Sequence, residues 1–188
     1  MQGKDIKEIL KIGVILCLIT SVSAGILAAV NSATAPIIAN NDEKKRNEAM
    51  RTVLPDATDF EELTYSDGDS SVTAVYDAGD AGYVVLCEPK GYGGAISLVV
   101  GIDGDKSVHA MDITGQSETP GLGANCVRED FKAQFAGKKN GIAVVKRNAK
   151  DNEIDALSSA TITSKAVTKG VNNALAAVES IDKEGDKQ

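Results

Sequence analysis

Tryptophan is absent from this sequence, and only three phenylalanines and four tyrosines are present. A core must therefore be built mainly from Val, Ile, Leu and Ala. Histidine occurs once, at His109, so a zinc site with several histidines cannot form. His109 lies in a strand-like run, where a half-buried structural role is expected. The three cysteines are Cys17, Cys87 and Cys126, none in a Cys-x-x-Cys pair. This excludes an iron–sulfur cluster held by the chain alone and a Cys-x-x-Cys-His haem site. Cys87 and Cys126 read as free thiols; nothing in the sequence places them near enough to pair. Basic surface is also scarce. With a formal charge of −7 and no basic stripe, the chain lacks what nucleic acid requires. No Gly-x-Ser-x-Gly is present, which argues against a serine hydrolase. Asp67-Gly68-Asp69 lacks the ligand spacing of a calcium loop and reads as a solvated turn. Any redox work would need an organic cofactor.

Charge is absent from one long stretch. No Asp, Glu, Lys or Arg occurs between Lys11 and Asp42, and Ile12–Val30 is mostly Ile, Leu, Val and Ala, with weakly polar Thr20, Ser21 and Ser23. About 20 such residues suffice for a spanning helix. Ala33-Thr34-Ala35 has the small-x-small form of a signal cleavage site, but Pro36 follows it and the run exceeds a usual signal core. A retained anchor is the expectation. Lys4, Lys7 and Lys11 precede the span, and residues 31–43 carry no Lys or Arg. That bias puts the N-terminus in the cytoplasm and the body outside.

In the body, Asn41–Leu54 reads as a charged helix stopped by Pro55, with Ala49, Met50, Val53 and Leu54 on one side. Residues 56–70 are acidic and read mostly as loop. Ser71–Tyr76, Gly82–Cys87, Ala95–Ile102, Lys106–Ile113 and Ile142–Val145 carry strand signals. Asp103-Gly104-Asp105 marks a hairpin turn between two of them. Arg128–Ala136 reads as a helix with Phe131 and Phe135 on one face. A last helix is expected from near Thr163 to about Ile181, with Val167, Val171, Ala174, Leu175, Val178 and Ile181 as its apolar stripe. Strands and helices without regular alternation indicate an α+β domain.

The stretch richest in chemistry is Asp155-Ala156-Leu157-Ser158-Ser159-Ala160-Thr161-Ile162-Thr163-Ser164, just ahead of that last helix. Hydroxyls gathered at a helix start have two readings. One is an ordinary Ser/Thr N-cap. The other is an anion site, since free N–H donors and the helix dipole converge there. Two glycine loops accompany it: Gly91-Tyr92-Gly93-Gly94 and Glu118-Thr119-Pro120-Gly121-Leu122-Gly123. Glycine lets backbone approach a ligand closely, although each loop alone also reads as a simple turn.

In combination, these motifs resemble the FMN-binding domain shared by the G subunit of Rnf complexes and the C subunit of sodium-translocating NADH:quinone reductases. Gly-Tyr-Gly-Gly-x-Ile, Val-Gly-Ile-Asp, Glu-Thr-Pro-Gly-Leu-Gly, a Gln-Phe-x-Gly-Lys run (Gln134, Phe135, Gly137, Lys138) and Asp-x-x-Ser-x-Ala-Thr-x-Thr-Ser carry the resemblance. The short length and the Gly-Tyr-Gly-Gly form are nearer the Rnf protein. The resemblance implies FMN joined by a phosphoester to Thr161, placed there from FAD by a flavin transferase. It puts Asp155 at the head of the attachment motif, with Ser158, Ser159 and Thr163 near the phosphate. Glu118, Thr119 and Leu122 would lie near the flavin ring, and the Gly91–Gly94 loop, with Gly93 and Gly94, would help wall the site. Two positions depart from the usual pattern: Ser159 stands where relatives often have glycine, and Gln116 where many have histidine.

The implied function is electron transfer within a membrane-bound ferredoxin:NAD oxidoreductase that couples it to sodium or proton translocation. Its partners would be integral membrane and iron–sulfur subunits, and its location the cell (inner) membrane. The quinone-reductase relative, a stand-alone surface flavin reductase and a non-redox anchored binding module are the competing readings. The expected fold is α+β: a single N-terminal transmembrane helix, then one domain with a mostly antiparallel sheet packed by helices. The expected boundaries are an N-terminus over 1–11, a span over 12–32, a linker helix over 33–55, the FMN-binding domain over 56–182 and a polar tail over 183–188.

Overall fold

A computed structural model describes residues 2–65 and 71–185. The expected turn at Asp67-Gly68-Asp69 and the last three residues of the expected tail lie outside them. The chain divides into two units, residues 1–44 and 45–188.

The first unit is helical throughout. Helix α1 runs from Gln2 to Val53 without a break, so the expected span and linker helix are one element, with Pro36 inside it. Every large apolar side chain from Ile9 to Ile38 is exposed. A helix apolar on all sides suits lipid rather than water, and this one is long and apolar enough to cross a membrane. Three of its hydroxyls bond back to the helix itself. Thr20 donates to the carbonyl of Leu16, Ser32 to Ala28 and Thr34 to Val30, at 2.9–3.0 Å. A hydroxyl that bonds back to its own helix can enter hydrocarbon without stranding a polar group.

The second unit is built on a five-stranded antiparallel meander: β1 (Glu61–Leu63), β2 (Val72–Asp77), β3 (Tyr83–Cys87), β4 (Ser97–Ile102) and β5 (Val108–Gly115), paired in that order. Both faces of this sheet are covered, which explains why β3 and β4 are nearly continuous apolar runs rather than alternating ones. Val85, Cys87, Leu98, Val100 and Ile102 face the larger core, with Phe131, Phe135 and helix α3 (Thr161–Gly185). Val84, Leu86 and Val99 face the other way and pack on Ala49, Met50, Val53 and Leu54. The period of two along each strand decides this division. Helix α3 contributes Val167, Val171, Ala174, Leu175 and Val178 of the expected stripe, all at most 1 % exposed, while Ile181, its last member, is partly buried. At Gly170 a Cβ would meet Leu98 and Pro89, so glycine lets the helix lie close on β4.

Four elements depart from the sequence reading. β1 forms inside the expected loop because backbone pairing with β2, not strand-forming side chains, holds Glu61-Glu62-Leu63. β6 (Ala143–Val145) gains an unexpected parallel partner, β7 (Glu153–Asp155). The expected helix over 128–136 is one turn, α2 (Glu129–Lys132), followed by a 3₁₀ turn over Ala133–Phe135. It ends early because Gly137 N–H and Lys138 C=O are drawn into pairing with Val108, and Gly137 sits at φ +74°. Phe131 and Phe135 nonetheless meet edge to face, 5.6 Å between centroids. Finally, α3 begins two residues earlier than expected and reaches Gly185, inside the expected tail.

Phe135 is fully buried in the larger core. Phe135→Ala is expected to lower unfolding free energy by roughly 3–5 kcal/mol, from lost transfer energy plus a cavity. Urea unfolding of the detergent-solubilised chain would measure it.

Candidate functional site

The segment after β7 determines the start of α3. Ala160 N–H donates to Leu157 C=O at 3.0 Å, closing a turn over residues 157–160. Ser159, its third residue, has φ +58°, the left-handed region that glycine prefers. Ser164 N–H then donates to Ala160 C=O at 3.0 Å, the first bond of the helix. Ala160 is therefore the N-cap residue, and alanine has no side-chain acceptor to offer. Nor does a neighbouring hydroxyl substitute. Ser164 Oγ accepts from Leu157 N–H at 2.9 Å and donates to Ala160 C=O at 3.0 Å. Thr163 Oγ1 donates to Glu118 Oε2 at 2.6 Å. Ser158, Ser159 and Thr161 lie on the outside of this segment, all three exposed. The plain capping reading thus fails: the N–H groups of Thr161, Ile162 and Thr163 have no acceptor among the described residues. Three free donors and the positive end of a long helix meet beside the exposed Thr161 hydroxyl.

Opposite stands the loop after β5. Glu118 is 5 % exposed, and both its oxygens accept hydrogen bonds: Oε1 from Gly93 N–H at 2.8 Å and Oε2 from Thr163. Its own N–H is held by Gln116 Oε1 at 2.6 Å. A Cβ at Gly91 would collide with Glu118 Oε1, one at Gly123 with Oε2, and one at Gly93 with the Ser117 carbonyl. Glycine fits these three positions because the two loops that carry them close on the Glu118 carboxylate and on the Ser117 carbonyl beside it.

Between these elements lies a cleft of about 530 Å³ lined by Tyr92, Glu118, Thr119, Leu122, Gly123 and Ser159–Thr163. This is the size of a cofactor pocket. Of the residues expected at the site, Thr161, Thr163, Ser159, Glu118, Thr119 and Leu122 share it. Gly93 joins through its bond to Glu118. Ser158 and Gly94 are not among the lining residues, and neither is Asp155. The Asp155 carboxylate instead accepts from Ala149 N–H at 2.9 Å, and its backbone pairs with the Gln134 amide. Tyr92 lines the cleft from within the Gly91–Gly94 loop, and Ile162 is a lining residue that sequence reasoning missed. Both are large, apolar and well exposed, 73 % and 59 %, and with Leu122 they give the cleft an apolar rim.

Two other sequence candidates lie elsewhere. His109 is exposed rather than half-buried and pairs with Asp103 at 2.9 Å across the β4–β5 hairpin. Cys87 and Cys126 are buried and are not joined in a disulfide. Burial, with the Glu118 charge adding, pushes the Cys126 thiol above its ordinary range, so it stays protonated and unreactive.

Residues 91–176, which include every residue lining the cleft, match the FMN-binding domain family, and residues 1–53 match the RnfG N-terminal region. The chain is 39 % identical to the G subunit of the proton-translocating ferredoxin:NAD(+) oxidoreductase complex of Clostridium ljungdahlii, covering 93 % of this chain and 94 % of that one. The chain belongs to the G-subunit family of ion-translocating oxidoreductase complexes. Within that family it is also 35 % identical to the G subunit of the Na(+)-translocating ferredoxin:NAD(+) oxidoreductase complex of Acetobacterium woodii, over 95 % and 96 % of the two chains. This G-subunit fold is shared with the C subunit of the Na(+)-translocating NADH-quinone reductase of Parabacteroides distasonis, with a TM-score of 0.55 at 24 % identity over 73 % of this chain and 90 % of that one.

Ser159 costs this protein about 1–2 kcal/mol for holding a side chain in the left-handed region. Ser159→Gly removes that cost but adds backbone entropy to the unfolded chain. The balance is a gain of about 0.5–1 kcal/mol, visible as a higher midpoint in thermal unfolding.

Proposed function

We propose that this chain is the electron-carrying G subunit of a membrane-bound ferredoxin:NAD oxidoreductase, with FMN joined by a phosphoester to Thr161. The observation that carries this reading is the uncapped start of α3, where Thr161 is exposed and three N–H groups are free. A phosphate needs that donor set, and a helix N-terminus favours its charge. The cleft beside it has room for a flavin, and Tyr92, Leu122 and Ile162 offer the apolar surface an aromatic ring would cover.

Roles divide accordingly. On a flavin transferase, Thr161 Oγ1 would attack the FMN phosphorus of FAD, forming the ester as the pyrophosphate bond breaks, AMP leaves and the hydroxyl proton is released. The N–H groups of Thr161, Ile162 and Thr163 would hold the phosphate oxygens, with Ser158 and Ser159 beside them. Thr119 and Leu122 would border the ring, and Gly93 and Gly94 would bound the site. Asp155 would act from outside the cleft, through the segment that leads into α3. Bound FMN supplies reversible one- and two-electron chemistry, while the protein excludes water from part of the ring and keeps the cofactor attached through turnover.

Helix α1 supports a single-pass anchor in the cell (inner) membrane, and Lys4, Lys7 and Lys11 ahead of the span support a cytoplasmic N-terminus and an extracytoplasmic FMN domain. The stretch Ile12–Val30 contains no ionisable residue apart from the Cys17 thiol, so it offers no ion path of its own. Coupling to sodium or proton translocation therefore belongs to the assembled complex, where integral membrane and iron–sulfur subunits are the partners.

Denaturing gel electrophoresis of protein from the native host, viewed by flavin fluorescence, tests the attachment. Wild type is expected to keep a fluorescent band and Thr161→Ala to lose it. The substitution removes no side-chain hydrogen bond seen in the structure, so stability should change by no more than about 0.5 kcal/mol. Fluorescence that survived in Thr161→Ala would refute the ester.

A further inference from the structure

The resemblance puts Glu118 against the flavin ring, yet both its oxygens are already used by the protein. One partner, Gly93, lies on the loop between β3 and β4. The other, Thr163, lies in the first turn of α3, two residues beyond Thr161. The side chain itself springs from the loop that follows β5. Glu118 is thus the point where the three segments surrounding the cleft are tied together, and it is 5 % exposed. The packing around it is specific, since Gly91 and Gly123 leave no room for a Cβ beside its oxygens.

From this geometry we infer that Glu118 is a positioning residue: it fixes the first turn of α3 against the glycine loop, so that the Thr161 hydroxyl is presented for flavin attachment. The inference rests on Thr161 being the attachment site. Glu118 bonds neither to Thr161 nor to the phosphate-facing N–H groups; it acts through Thr163. Without it, Gly93 N–H and Thr163 Oγ1 would both lose their partner, and the helix start would be free to shift relative to the loop. A displacement of about 1 Å is enough to slow a reaction at a positioned hydroxyl a hundredfold.

Geometry and charge can be separated here. In Glu118→Gln the amide oxygen can accept from Gly93 N–H while the amide nitrogen donates to Thr163 Oγ1, so both ties persist without the negative charge. In Glu118→Ala both are lost. In Thr163→Val only the tie to α3 is lost, at nearly constant volume.

The test uses the full chain produced together with its flavin transferase, with covalent flavin per protein read by gel fluorescence and folding read by thermal unfolding. Glu118→Ala and Thr163→Val are expected to lower early flavin loading by about tenfold or more while remaining folded at the loading temperature. The double variant should load no worse than the poorer single, because the two residues act through one bond. Glu118→Gln and Thr163→Ser should load within about twofold of wild type, since each restores the tie. The inference is overturned if folded Glu118→Ala loads like wild type, if Glu118→Gln fails as badly as Glu118→Ala, or if the two losses multiply. Should Glu118→Ala not fold, Thr163→Val with its serine rescue decides alone. Wild-type protein without covalent flavin would instead bring down the attachment reading, a result distinct from a normally loaded Glu118→Ala.

Discussion

A 2.6 Å hydrogen bond from Thr163 Oγ1 to the buried Glu118 carboxylate joins two parts of the chain 45 residues apart. Everything at the cleft depends on it. The bond draws the hydroxyl that could have capped α3 away from the helix's own donors. Ser164 is likewise occupied, and Ala160 at the cap position has nothing to contribute. A helix of 25 residues therefore reaches the cleft with its first N–H groups free. In most proteins a side chain would satisfy such donors. Here the residues that carry them line the cleft.

That arrangement needs a rigid support, and the sheet provides it. Helix α3 lies along one face of the five strands, buried through a continuous stripe of Val, Ala and Leu. The opposite face is closed by the last turns of α1 and the residue after it. With both faces covered, the strands have no freedom to slip register, since a shift by one residue would exchange two filled cores. The loops after β3 and β5 are then fixed at their roots, and the glycines let them converge on Glu118. The chain has few aromatic residues, so this solidity comes from closely packed aliphatic side chains and from one edge-to-face phenylalanine pair.

Much of this is legible in the sequence where the signal is local. The uncharged stretch after Lys11 announces a lipid-suited helix because a span needs only a run of apolar residues. The four longer strands of the main sheet are visible in their Val-rich runs, and the α3 stripe in its helical spacing. What stays hidden depends on distant partners. β1 and β7 exist because neighbours supply hydrogen bonds, not because Glu61-Glu62 or Glu153 favour strands. The helix expected at 128–136 is shorter than its pattern because its end is set by pairing with Val108.

The attachment motif shows the same division most clearly. From the residues alone, hydroxyls before an amphipathic helix mark a place suited to an anion, and the glycine loops mark where backbone can approach it. Local sequence determines those tendencies, because they depend on side-chain size, hydroxyl placement and helical period. Which hydroxyl stays free is decided only in three dimensions. Thr163 and Ser164 find partners in the fold, Ser159 is spent on a left-handed turn, and Thr161 is left exposed beside unpaired donors. Asp155, which belongs to the same motif, turns away to hold Ala149. Hydrogen-bond partners are assigned by distance and direction between segments far apart in the chain, and no local pattern contains that information.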